Sequence, residues 1–198
     1  MQSKIKETIN KILWKVNLRI SKPFPRAFQK YNLMEKEDLV GVEIGVYEGD
    51  NSFSLLKRSS IKKLYLVDPY KSYTSLFYPG GVSEDELDII EKREKLQLSK
   101  FNEIVWVREK SDDALNKIPN DLDFVYIDGN HSYEYVKKDI ENYYDKLKPG
   151  GLLAGHDFTM APSNVDDDSG VIEAVVEFAV KNNLKFRVED SDWWLNKP

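Results

Sequence analysis

Five short apolar runs, each followed by a segment of helical spacing, limit what this chain can fold into more than any other feature. They are "LVGVEIGV" (39–46), "KKLYLVDP" (62–69), "EIVWVREK" (103–110), "LDFVYIDG" (122–129) and "GLLAGHDF" (151–158). Short runs with so few polar residues suit strands buried on both faces, which occur where helices cover a parallel sheet from both sides. Between them lie "EGDNSFSLLKRSS", a charged helix predicted from about Glu84 to Lys100, the short "SDDALNKI", and the amphipathic "SYEYVKKDIENYYDKL" (132–147) stopped by Pro149-Gly150-Gly151. The helix "VIEAVVEFAVKNN" follows. Two strand-like pieces, "LKFRVED" and "DWWLNK", close the chain around a turn at Ser191. The alternation predicts an α/β fold: a Rossmann-like, doubly wound, mostly parallel sheet with a C-terminal antiparallel strand and helices on both faces.

A chain of 198 residues is one domain's worth of core. It has no cysteine, which excludes disulfides and thiolate metal sites and leaves oxygen and imidazole as the only strong ligands. No apolar run reaches the roughly 20 residues that span a bilayer, and no signal-peptide pattern is present, so a cytoplasmic protein is expected. Charge is uneven. Residues 1–30 carry Lys4, Lys6, Lys11, Lys15, Arg19, Lys22, Arg26 and Lys30 against the single acid Glu7, on a chain of net charge −5. This basic helix and its connector (1–30) are read as a segment apart from the main domain (31–198). A basic head suits a peripheral contact with anionic membrane or nucleic acid. The simpler reading has Ile5, Ile9, Ile12 and Val16 pack on the main domain or on a second subunit in a homodimer. Nucleic acid is not expected as a partner. The prolines of "SKPFPRAF" predict an extended connector.

In open parallel sheets the ligand sits beyond the carboxyl ends of the strands. That rule gathers a short set of polar residues onto one edge. Glu43, Gly45 and Gly49 form an E-x-G-x-x-x-G turn, where glycine lets the backbone approach a ligand and the helix start favours an anionic group. The same turn could serve strand–helix geometry alone. Val46 and Tyr47 exclude the G-x-G-x-x-G dinucleotide fingerprint. Asp68 ends the second strand, placed to hold ribose hydroxyls or to open an Asp-Pro turn. Ser111, Asp112 and Asp113 follow the third strand, as an adenine contact or a helix cap. Asp128 and His131 follow the fourth strand; His156 and Asp157 end the fifth.

Taken together, "VEIGVYEGDNS", "LYLVDPY", "REKSDDAL", "LDFVYIDGNHSYEYVKKDI" and "LKPGGLLAGHDF" resemble a class I S-adenosylmethionine-dependent methyltransferase. The D-G-x-H-x-Y segment is similar to that of the sugar and macrolide O-methyltransferases, and the resemblance runs from about Leu39 to the C-terminus. It implies that Glu43, Gly45 and Gly49 line the methionine end of S-adenosyl-L-methionine, that Asp68 holds its ribose, and that Asp112 or its neighbours, Ser111 included, meet the adenine, with Asp128 also at the cofactor. Some relatives hold magnesium with acids after strands four and five, which match Asp128 and Asp157. Their next ligand falls on His156 or Phe158 here, a departure that points to weaker magnesium binding, to a softer ion such as manganese, or to no metal.

Methyl transfer to a hydroxyl is an in-line displacement that needs the acceptor's proton removed. The chain offers two imidazoles, and His131 is the preferred base. His156 would precede Asp157 on a strand and so point to the opposite face. Asp128 and Asp157 would orient a histidine or hold a divalent cation. The acceptor is expected to be a sugar, a glycan or another small molecule, roofed by Tyr70, Tyr73, Phe77, Tyr78 and the loop "TMAPSNVDDDSG". Two rivals are an NAD(P)-dependent oxidoreductase of similar fold and a non-catalytic nucleoside-binding domain. The absent third glycine and the lack of a well-placed Tyr-x-x-x-Lys count against the first.

Overall fold

The computed structural model describes residues 25–72, 82–159 and 170–198. The predicted basic helix, most of the aromatic loop and most of "TMAPSNVDDDSG" lie outside the described residues. The apolar runs are strands: β1 (Leu39–Ile44), β2 (Ile61–Val67), β3 (Ile104–Val107), β4 (Leu122–Ile127) and β5 (Leu147–Gly155). The C-terminal pieces are β6 (Phe186–Glu189) and β7 (Asp192–Asn196). All seven form one sheet in the order β3-β2-β1-β4-β5-β7-β6. Neighbours among β1 to β5 are parallel, whereas β7 runs antiparallel to both β5 and β6.

The helices are α1 (Ala27–Asn32), α2 (Asp50–Arg58), α3 (Glu84–Gln97), α4 (Ser111–Ala114), α5 (Tyr133–Tyr144) and α6 (Gly170–Lys181). They cover both faces, which is why the strands need apolar residues at successive positions. Val125 and Ile127 go to one core with Ile140, Val175 and Trp193; Phe124 and Tyr126 go to the other with Phe28, Leu55 and Trp194. The adjacent tryptophans are both buried, one on each face. α3 starts at a capping box in which Ser83 and Glu86 exchange side-chain and backbone bonds. Among the described residues no helix is long and apolar enough to cross a membrane.

Two boundaries differ from expectation, with consequences for the site. β5 pairs with β4 from Leu147 and stops at Gly155, so His156, Asp157 and Phe158 lie beyond it. Of the connector's described residues Arg26 is extended, and α1 follows at once. Packing overrides the prolines here: Phe28 is fully buried and stacks on Tyr126 at 4.4 Å. Gln29, also buried, donates to the Ser54 carbonyl and accepts from Ser54 Oγ.

Candidate active site

The sheet order reverses between β1 and β4, and in such folds a crevice opens at that point. Backbone bonds align the strand ends there. Gly45 N–H donates to Val67, Asp68 N–H to Val107, Asp128 N–H to Ile44 and His156 N–H to Ile127. Register alone therefore brings four of the five predicted loops to one edge.

Four of the predicted residues converge. His131 Nε2 lies 3.1 Å from Asp157 Oδ2 and 3.8 Å from Asp128 Oδ1. His156 Nδ1 lies 3.2 Å from the same Asp157 oxygen and 3.9 Å from Asp128 Oδ1. His156 thus faces the cluster, against the expectation that it would point away. Strand alternation does not reach it, because β5 has ended and Asp157 takes a left-handed conformation, φ 56°. Burial would raise the Asp157 pKa, but the hydrogen bond to His156 and the charges of His131, His156 and Arg26 outweigh it and hold the carboxyl low. Asp128, His131 and Asp157 each offer one ligand atom within 4.8 Å of the others. Two carboxylates and an imidazole, all half-buried, fit a divalent cation that accepts mixed oxygen and nitrogen donors and leave room for further ligands.

Three members of this edge have no local sequence signal. Arg26 NH1 lies 3.1 Å from Asp192 Oδ1 and 3.8 Å from Asp128 Oδ2, and it also contacts the Tyr126 hydroxyl. Tyr126 O–H donates to Asp192 at 3.0 Å. Burial would lower the Arg26 pKa, but Tyr126, Asp128 and Asp192 raise it, so the guanidinium is a permanent cation. Burial raises the pKa of Asp192 despite Arg26, and it raises that of Tyr126 with Asp128 adding to it. Asp128 is therefore held on one oxygen by Arg26 and presents the other to the histidines.

The glycine turn is built by close approach. Gly45 has φ 82°, and a Cβ there would stand 2.2 Å from the Asp128 carbonyl oxygen. Gly49, φ 67°, would meet Glu94 Oε2 at 2.3 Å. Gly45 is demanded by backbone packing and Gly49 by its left-handed φ. Gly129 differs: an added Cβ would find only ordinary contact with Ile44, at 3.6 Å, so nothing in the fold requires glycine beside the crevice. Glu43 is buried beneath the turn and bonded by Ser52 Oγ at 2.6 Å and Asn51 Nδ2 at 3.3 Å. Burial pushes its pKa up to about 8 even though these bonds lower it. Asp68 accepts from the backbone N–H groups of Val46, Tyr47 and Tyr70, so its carboxylate shapes this turn.

Asp112 and Ser111 are drawn to α5. Asp112 pairs with Lys138 at 2.5 Å and Asn142 at 3.1 Å, and the Ser111 carbonyl accepts from Tyr143 O–H. Tyr70 is buried, with its hydroxyl donating to the Tyr47 carbonyl at 3.3 Å, so it supports the turn from inside.

This fold, with a glycine turn at the switch point and a polar cluster beyond β4 and β5, defines a class I S-adenosylmethionine-dependent methyltransferase. Residues 42–158 match the family model described as "Methyltransferase domain", and the chain belongs to that family. Solved structures of similar fold include an rRNA methylase from Streptococcus thermophilus, with TM-score 0.58 and 15% identity over 86% of this chain and 92% of that one. The Streptococcus mutans protein SMU.1697c, in complex with SAH, matches with TM-score 0.60 and 14% identity over 88% and 99%. The O-methyltransferase NovP matches with TM-score 0.54 and 15% identity over 86% and 74%. An uncharacterized protein of Acanthamoeba polyphaga mimivirus is 29% identical over 131 residues, 64% of this chain and 55% of that protein. The chain thus spans about half the length of this curated relative. Membership of a methyltransferase family leaves the oxidoreductase reading without support.

Proposed function

We propose that this enzyme methylates a hydroxyl of a sugar or other small molecule, with His131 taking the hydroxyl proton. The observation that carries the reading is the imidazole of His131 set 3.1 Å from Asp157 and 3.8 Å from Asp128 beyond the carboxyl ends of β4 and β5. S-adenosylmethionine supplies the electrophilic methyl group when bound. Gly129, between β1 and β4, would leave room for it, the one lone pair that Asp68 keeps would accept from its ribose, and Glu43 underlies the turn that would face its methionine end. In this reading Ser111 and Asp112, held by α5, border the adenine. Asp157 holds His131 in place and stabilises the imidazolium formed as the proton arrives, the role that carboxylates commonly play beside a catalytic histidine. Water must be excluded and the acceptor oxygen aligned behind the methyl carbon, a positioning task worth several orders of magnitude in rate.

A second reading is favoured by the mutual closeness of Asp128, His131 and Asp157. Those three would hold a divalent cation, manganese before magnesium because of the imidazole, and it would lower the acceptor's pKa. His156, 3.2 Å from Asp157, is then the remaining imidazole for the proton.

Calorimetric titration with S-adenosylhomocysteine and with NAD tests the cofactor. Binding of the first alone is expected, and binding of NAD alone would overturn the reading. Transfer of labelled methyl groups to a panel of sugars, phenols, amines and carboxylates tests the acceptor, with hydroxyl compounds expected to respond. The enzyme is read as cytoplasmic, with a small-molecule or glycan acceptor as its partner.

A further inference from the structure

Strand β6 forms one edge of the sheet, and three of its four residues are exposed, Val188 at 44%. The turn joining β6 to β7 has two residues, Asp190 and Ser191, at φ 51° and 72°. In a hairpin closed this way the flanking pair, Glu189 and Asp192, exchanges both backbone bonds, and the next pair, Val188 and Trp193, exchanges none. The N–H and C=O of Val188 therefore point away from β7, toward the open side. Among the described residues these groups have no backbone partner, and such an edge is a template for another strand.

Which strand fits is decided by the side chains around Val188. Arg187 and Glu189 flank it, both exposed and both on the face that carries Trp194. We infer that two copies of this chain pair antiparallel through β6 about a two-fold axis at Val188. In that register each Val188 exchanges two backbone bonds with its counterpart, and each Arg187 stands opposite the other copy's Glu189. The contact is self-complementary as a two-fold interface requires, with residue i meeting j and j meeting i. Opposite charges directly across a ladder stabilise it, whereas a strand of different sequence would have to supply the same pair by chance. Beside the strand is a cleft of about 440 Å³ lined by Tyr31, Arg187, Val188, Glu189 and Trp194. Tyr31, 54% exposed, stacks on Trp194 and donates to Glu189 at 3.4 Å, so aromatic surface borders the charged pair. The partner's side chains enter this cleft, and the two sheets continue as one.

Sedimentation equilibrium of the full chain tests the pairing. The unaltered protein is expected to be a dimer. Arg187→Glu and Glu189→Arg each set like charges opposite one another twice per dimer and should raise the dissociation constant at least about tenfold. Both positions are exposed, so the thermal midpoint measured by circular dichroism checks that each variant is folded. An equimolar mixture of the two variants restores opposite charges at both contacts and is expected to dimerise. A monomeric unaltered protein, a dimer indifferent to both reversals, or a mixture that stays monomeric would each overturn the proposal.

Discussion

His131, on the loop after β4, meets Asp157, on the loop after β5, with Nε2 3.1 Å from Oδ2. His156 reaches the same carboxylate oxygen from the other side, at 3.2 Å. One acid thus serves two imidazoles, and its depressed pKa keeps it charged to receive a proton-bearing partner. Replacing His131 by alanine should cut methyl transfer to the responding hydroxyl acceptor by about 100-fold or more. Affinity for S-adenosylhomocysteine, measured by calorimetry, should be unchanged. Surviving activity would move the base role to His156.

Both histidines of the chain belong to this cluster, which makes them reporters of metal binding. Manganese is expected to broaden the two histidine C–H signals in proton NMR, and Asp157→Asn should weaken that broadening. Sharp signals in the presence of the ion would confine Asp128 and Asp157 to orienting the imidazoles. Chelator treatment should then leave turnover unchanged.

Glu43 links the site to stability. Its folded pKa, about 8, exceeds its ordinary value because burial penalises the charged form, so folding favours the protonated acid. The contribution is fully present below about pH 4.5 and is lost as pH rises through about 8. Glu43→Gln keeps the neutral shape without the proton. The thermal midpoint of the unaltered protein should therefore fall relative to that of the variant between pH 5 and about pH 9. Parallel midpoints across that range would show that Glu43 titrates normally.

Two glycines should respond oppositely. Gly45→Ala places a Cβ against the Asp128 carbonyl at a positive φ, and urea unfolding should show a loss of about 3 kcal/mol or more. Gly129→Ala meets only ordinary contacts, so stability should hold while S-adenosylhomocysteine affinity falls. Equal affinity in that variant would place the cofactor elsewhere along the crevice.

Removing the ring of Phe28 should cost about 3–5 kcal/mol, because it is fully buried against Tyr126. The same loss would free Arg26, two residues earlier, from its place between Asp192 and Asp128. Chemical denaturation of Phe28→Ala checks the first effect. Manganese broadening of the histidine signals in that variant reports the second.

Much of this was legible in the residues. Strands buried on both faces are apolar at nearly every position, so Leu39 to Val42 and Phe124 to Ile127 announced themselves. The parallel ladder then aligns their carboxyl ends, which is why Glu43, Gly45, Asp68, Asp128 and His131 could be gathered before any coordinates. Those are local signals, carried by period and spacing. The direction of His156 was not local: it depends on where β5 loses its last partner and on the left-handed turn at Asp157. Nor could spacing show that Asp112 and Ser111 are held by α5, or that Asp68 binds the backbone of the turn. Arg26, Tyr126 and Asp192 lie far apart along the chain and meet only because α1 packs over β4 beside the end of β7. Sequence alone determined which strand-end residues reach this edge, because backbone pairing there has a fixed register. Only the tertiary structure decided which of them touch, because side-chain contact between remote segments is set by packing that leaves no periodic trace.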